Sequence, residues 1–94
     1  HGNDDFMPDT NHNRFDLEDR TQRFAHRVRV FIRTTPKTFD TFEDLKQLLR
    51  SSGSVAANYI EANESLSKKD FLNRIKICRK EVKESGLWLK LLMT

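Results

Sequence analysis

Leu17, Thr21, Phe24, Ala25, Val28, Phe31 and Ile32 recur at intervals of three and four, the spacing that lines one face of a helix. Asp16, Glu18 and Asp19 fall in the first turn of this pattern, where the helix dipole favours acids, and Arg33 falls near its end. Thr35-Pro36 stops the element, because a proline drives the residue before it out of the helical region. The pattern predicts a first helix over residues 16–34.

Asp40 followed by Glu43 has the spacing of a capping box, with Asp where Ser or Thr is usual. It opens a second stripe of Phe42, Leu45, Leu48, Leu49, Ser52, Val55, Ala56, Tyr59 and Ile60, which predicts a helix over 40–63. The cluster Ser51-Ser52-Gly53-Ser54 reads locally as a loop, and Gly53 costs a helix interior about 1 kcal/mol relative to Ala. The stripe nevertheless keeps its phase through the cluster. Phase continuity favours one helix whose small residues meet a closely packed backbone, and a break at the cluster is the alternative. Ser67 with Asp70 three positions on is an N-cap signature. It starts a third pattern, Phe71, Ile75, Cys78, Val82, Ser85, Leu89 and Leu92, predicting a helix over 68–93. Ile77, Leu87, Trp88 and Leu91 fall off that seam, so the last two turns are apolar on most sides. A fourth helix, or another subunit, has to cover Leu87 to Met93, and Val30, which points away from the first stripe, is a further interface candidate.

Residues 1–15 carry no such period and read as a mobile acidic leader ahead of a helical domain over 16–94, with Met7 a candidate native start. The remaining composition fits helices: 33% charged and 36% hydrophobic residues with three Gly and two Pro argue against a sandwich or barrel. A chain of 94 residues supports one domain and buries only about 60–65% of its unfolded surface. The net charge of +3 is a remainder, since residues 1–19 hold six acids against one base and residues 20–94 hold sixteen bases against eight acids. A basic body points to a polyanion partner, or to a leader that screens it. No run is long and apolar enough for a membrane span or a signal peptide, so the expected location is cytoplasmic, with no membrane partner. The single cysteine, Cys78, makes no internal disulfide or paired-cysteine zinc site.

The stretch Leu48-Leu49-Arg50-Ser51-Ser52-Gly53-Ser54-Val55-Ala56-Ala57-Asn58-Tyr59-Ile60-Glu61-Ala62, followed by Ser67-Lys68-Lys69-Asp70-Phe71-Leu72 and by Ile77 and Glu81, resembles a known pattern. It is similar to the four-helix-bundle proteins encoded by intervening sequences inside some bacterial 23S rRNA genes. The resemblance runs from Asp16 to Leu92. It implies an up-and-down bundle of four helices assembled into a ring, commonly a pentamer. It also implies kinship with the accessory protein of diversity-generating retroelements, a basic barrel-like pentamer that binds nucleic acid and a reverse transcriptase. This sequence departs in having Ala62 where the family usually has Gly, and in stopping at Thr94 where a fourth helix is expected.

Arg20, Arg23 and Arg27 fall on one flank of the first apolar stripe, with Arg29 and Arg33 beside His26 on the other. Lys69, Lys76, Lys83 and Lys90 repeat every seventh residue. Such stripes match nucleic-acid phosphates, and a ring of copies multiplies them by avidity. A solvated helix face with pairs such as Glu84 and Lys80 predicts the same pattern, and the resemblance tips the balance toward RNA or DNA. Asn58 and Glu61, polar beside apolar neighbours, read as structural groups satisfied by Arg50 or by an arginine of the first helix. Cys78 reads as a small buried hydrophobe, Tyr59 and Trp88 as core or interface, and His1 and His12 among Asp4, Asp5 and Asp9 as a weak, irregular metal cluster. No phosphate loop, nucleophile elbow or carboxylate pair points to an enzyme, a cofactor or a small-molecule substrate. The expectation is an all-α, antiparallel up-and-down bundle, homo-oligomeric and RNA-associated without sequence readout, with a purely structural or protein-interaction scaffold as the alternative.

Overall fold

The computed structural model describes residues 11–94, with side chains from Asp16 onward. Three helices account for nearly all of them: α1 (Asn11–Thr34), α2 (Phe42–Asn63) and α3 (Lys68–Leu92). No strand occurs among the described residues. Of the expected leader and its histidine and aspartate cluster, residues 1–10 lie outside the described residues, as does the side chain of His12.

α1 begins five residues earlier than its apolar stripe predicts. Nothing in Asn11 to Phe15 breaks a helix, so the backbone continues where the hydrophobic period has already stopped. Asp16, Glu18 and Asp19 therefore lie inside the helix rather than in its first turn. They pair within and between helices instead: Asp16 with Arg20, Asp19 with Arg23, and Glu18 with Asn63 of α2, whose Nδ2 donates to it at 2.8 Å.

α2 starts at Phe42, and the capping box does not form. Asp40 accepts from the Thr38 hydroxyl at 2.5 Å, and Thr41, at the N-cap position, turns its hydroxyl back to Pro36 O (3.0 Å) and the Thr38 N–H (2.9 Å). The turn before α2 thus competes successfully for the side chains that would have capped it. Ser67 does cap α3, accepting from the Asp70 N–H at 3.1 Å.

α2 is unbroken through Gly53, as phase continuity predicts, and it is the element both others use. It packs against α1 and α3, whereas among the described residues no Cα of α1 comes within 8 Å of α3. The α2–α3 pairings run in opposite chain order: Arg50 with Glu81 and Glu84, Ser51 with Ser85, Val55 with Cys78, Asn58 with Arg74. On the other side Asn63 meets Glu18 and Gly53 meets Arg29. Of the buried apolar residues Ala25, Val28, Leu45, Leu48, Val55, Ala56, Tyr59, Ala62 and Cys78, six belong to α2, because only α2 is covered from two sides.

The small residues serve this double packing. Ser51 and Ser52 are fully buried, and Ser51 shares a 2.8 Å hydrogen bond with Ser85 across the α2–α3 seam. What crowds Gly53 is a side chain rather than a backbone: a Cβ there would lie 3.2 Å from Nη2 of Arg29. The α3 seam is displaced from the heptad reading. Glu81 is buried and Val82 is 48% exposed, since Glu81 faces Arg50 and Val82 points away from α2. Leu17, Leu49, Ile60, Leu72, Leu87 and Leu91 are also exposed, so much of each apolar stripe lies outside the core these three helices make.

Candidate nucleic-acid interface

Lys69, Lys76, Lys83 and Lys90 are all exposed on α3. Arg79 and Lys80 join them: Lys76, Arg79, Lys80 and Lys83, with Glu84 and Leu87, line one shallow groove of about 410 Å³. A seven-residue count passes over Arg79 and Lys80, but their offsets of three and four from Lys76 put them in the same helical sector. Among the described residues, Lys80 is the one member of this face with a carboxylate in ion-pair range, Glu81 at 3.9 Å. Glu84, the acid expected to neutralise Lys80, is taken by Arg50 at 2.8 Å. The face therefore presents ammonium and guanidinium groups whose counter-charge comes from solution.

The arginines of α1 are in a different condition. Arg20 and Arg23 hold i,i+4 ion pairs to Asp16 (3.8 Å) and Asp19 (3.0 Å), all well exposed. Such pairs are worth only a few tenths of a kcal/mol and exchange readily for a phosphate. Arg20, Arg23 and Arg27 line a second groove with Phe24, and Arg33 is exposed. Arg29 is half-buried over Gly53 with Nη1 donating to Ala25 O at 3.4 Å, so packing has already claimed part of it.

The polar groups of the motif stretch are cross-links, with partners other than those expected. Glu61 is exposed and takes Arg74 of α3 at 2.8 Å, and Arg74 Nη1 also donates to Asn58 Oδ1 at 2.9 Å. Asn58 in turn donates to Ser54 O at 2.9 Å. Arg50 is committed to Glu81 and Glu84. The hydrogen bonds that Arg50 donates to Glu81 hold its guanidinium above its already high ordinary pKa against the cost of desolvation. Arg50 does not serve Glu61, because the two lie eleven residues apart along α2 and each pairs with the stretch of α3 beside it. Arg74 and Glu81 carried a signal that sequence reading missed: both sit at helical spacing from Cys78 and Ser85, on the α2-facing side of α3.

Cys78 is buried with its thiol toward Val55 O at 3.5 Å, and burial raises its pKa above the ordinary 9.0. It is a packing residue, as expected. Tyr59 is buried, Trp88 is half-buried, and the Trp88 indole N–H is enclosed without an acceptor among the described residues. Val30, Leu87 and Leu91 are exposed at 46, 48 and 43%. Among the described residues no group of three or more His, Cys, Asp and Glu is placed to hold a metal ion, and no helix is long and apolar enough to cross a membrane.

Three long helices, a central one pinned by charged and hydroxyl cross-links, and a basic outer face define an all-α protein. The chain belongs to the 23S rRNA-intervening sequence protein family, whose model matches residues 14–94. That match takes in all of α2 and α3 with their cross-links, and most of α1. Neither the curated proteins nor the solved structures yield a match.

Proposed function

We propose that this chain is an RNA-associated, non-catalytic subunit of a cytoplasmic homo-oligomer. Its three helices form an antiparallel up-and-down bundle, completed by a fourth helix that a continuation of the chain or another subunit supplies. The opposite chain order of the α2–α3 pairings supports the antiparallel arrangement, and the separation of α1 from α3 leaves a place for a helix between them. Exposed Val30, Val82, Leu87 and Leu91 support burial in an assembly, and the pentameric ring that the family resemblance implies is the form we favour.

The observation that carries the RNA reading is the outer face of α3, where Lys69, Lys76, Arg79, Lys83 and Lys90 have no carboxylate in ion-pair range among the described residues. A solvated face built for stability alone would pair these charges along the helix, as α1 pairs Arg20 and Arg23. The family name, which refers to a sequence within 23S rRNA, points the same way. Phosphate contacts of this kind fix affinity without reading sequence.

The test is RNA binding by fluorescence anisotropy across a salt series, with light scattering on the same samples. Affinity falls steeply with added salt, and K76E with K83E weakens it for every sequence tried. Binding indifferent to both overturns the RNA reading and leaves the protein-interaction scaffold, whose signature is an oligomeric mass unchanged by RNA and lowered by W88E.

A further inference from the structure

Phe39 is fully exposed, and Phe42, one helical turn away, is 53% exposed. They stand on the α1–α2 turn, which side-chain hydrogen bonds tie together. Thr41 closes it onto Pro36 and Thr38, Thr35 Oγ1 donates to Phe31 O at 2.6 Å, and Lys37 Nζ donates to Ile32 O (2.6 Å) and Thr35 O (3.0 Å), capping the end of α1. Lys46 Nζ lies 5.5 Å from the centre of the Phe42 ring, within cation–π range. Lys37, Thr38, Phe39, Phe42 and Glu43 line a pocket of about 540 Å³ here. The α2–α3 pairings of Arg50 with Glu84 and Ser51 with Ser85 bring this turn to the end of the molecule where α3 finishes, the end carrying Lys83 and Lys90.

The geometry points to this turn as a stacking platform for unpaired bases of RNA, with Phe39 as the principal face and Phe42 as the second. The inference rests on the RNA reading above and narrows it from a polyanion to single-stranded segments. A pre-ordered turn that holds an aromatic ring wholly in solvent presents π-surface at little further ordering cost. Bases stack on such rings whatever their identity, while basic side chains track the backbone. A duplex keeps its bases stacked on one another and offers the ring nothing. The chief rival is an anionic lipid surface, which also rewards aromatic rings beside basic charge. Asp40, Glu43 and Asp44 flank the rings and disfavour it, because inserting the tip would press three carboxylates against anionic headgroups. A base is neutral, and its phosphate can lie away from those carboxylates toward the α3 face, whereas Lys46 is already paired with Glu43 at 3.8 Å.

The experiment compares a 12-nucleotide unpaired RNA with a 12-base-pair RNA duplex, using the whole chain and the variants F39A, F39W and K76E/K83E. Phe39 packs against nothing, so its substitution leaves the fold intact, and circular dichroism verifies this. F39A should weaken binding of the unpaired RNA about 5- to 150-fold, the range of one lost base stack, and leave the duplex within about twofold. F39W should retain it. If F39A leaves the unpaired RNA unchanged, or weakens both probes alike, the platform is wrong while K76E/K83E still reports on the polyanion reading. If the whole chain binds neither probe, both readings fail together. If F39A abolishes sedimentation with phosphatidylserine vesicles and leaves RNA binding untouched, the tip is a membrane contact and the inference is overturned.

Discussion

Glu81 of α3 keeps only 7% of its side chain exposed and lies 3.3 Å from Nη2 of Arg50 on α2, which reaches on to Glu84 at 2.8 Å. One guanidinium thus fastens two turns of α3 to α2. Arg50 itself is half exposed, so the energy of this link is set less by Coulomb attraction than by what happens to Glu81 when its partner is removed. R50A leaves a buried carboxylate with only Lys80, at 3.9 Å, to face it. We expect a loss of about 1–3 kcal/mol, discounted for the solvent around Arg50, seen as a lower urea midpoint at unchanged slope. Replacing both partners by Met should recover most of it, because the penalty belongs to the orphaned charge. A double variant no more stable than R50A would show that the pair contributes through attraction instead.

The number and order of the helices were legible because each carries a long apolar stripe at helical spacing, and because Ser67 caps α3 with no competing partner. The unbroken run through Gly53 was legible for the same reason: phase outweighs one glycine. What was not legible depended on neighbours that a single stripe does not describe. Asp40 has the spacing of a cap, but Thr38 is two residues away and captures it first. Glu61 was matched with the wrong arginine, since the choice among Arg50, Arg74 and the α1 arginines is set by the register of α2 on α3 and not by composition. Val82 and Glu81 exchanged their expected places because a charged residue can be buried once a guanidinium waits opposite. The α3 lysines were found by their repeat, whereas their lack of acidic partners is visible only once Glu84 is seen turned toward Arg50.

Cys78 provides a pH test of the α2–α3 seam. Burial holds its thiol pKa above the ordinary 9.0, so the folded protein keeps this proton to higher pH than the unfolded chain does. The sign follows: the contribution is fully present below the ordinary thiol range and is lost as pH rises beyond it, when the unfolded state can ionise and the folded one resists. Stability measured between pH 8 and 10 should therefore fall more for the native chain than for C78A. Alkylation by iodoacetamide should be slow until denaturant opens the seam. Rapid labelling of the folded chain at neutral pH would place the thiol outside the core.

Two glycines in helix interiors separate the stability of this chain from its assembly. A methyl at Gly53 meets only the end of the Arg29 side chain at 3.2 Å, and one at Gly86 meets nothing within 4 Å. Neither helix needs a positive φ, so Ala at either position should gain up to about 1 kcal/mol of helix propensity, less at Gly53 by whatever it costs Arg29 to shift a few tenths of an ångström. In the isolated chain both G53A and G86A should raise the melting temperature, G86A more. Gly86 lies one turn beyond the exposed Val82 and one turn before Lys90, and a Cβ there would point to open space on the side of α3 turned away from the Ser51–Ser85 contact with α2. If a fourth helix or a second subunit seats itself there, the absent side chain is what lets its backbone approach, and the added methyl blocks it. G86A should then stabilise the separated subunit while weakening the oligomer, read as a lower mass by light scattering at a concentration where the native chain is fully assembled. G53A, pointed at Arg29 inside one subunit, should leave that mass unchanged. Equal effects of the two substitutions on assembly would remove Gly86 from the interface and leave the cover of α3 to the exposed leucines nearer its end.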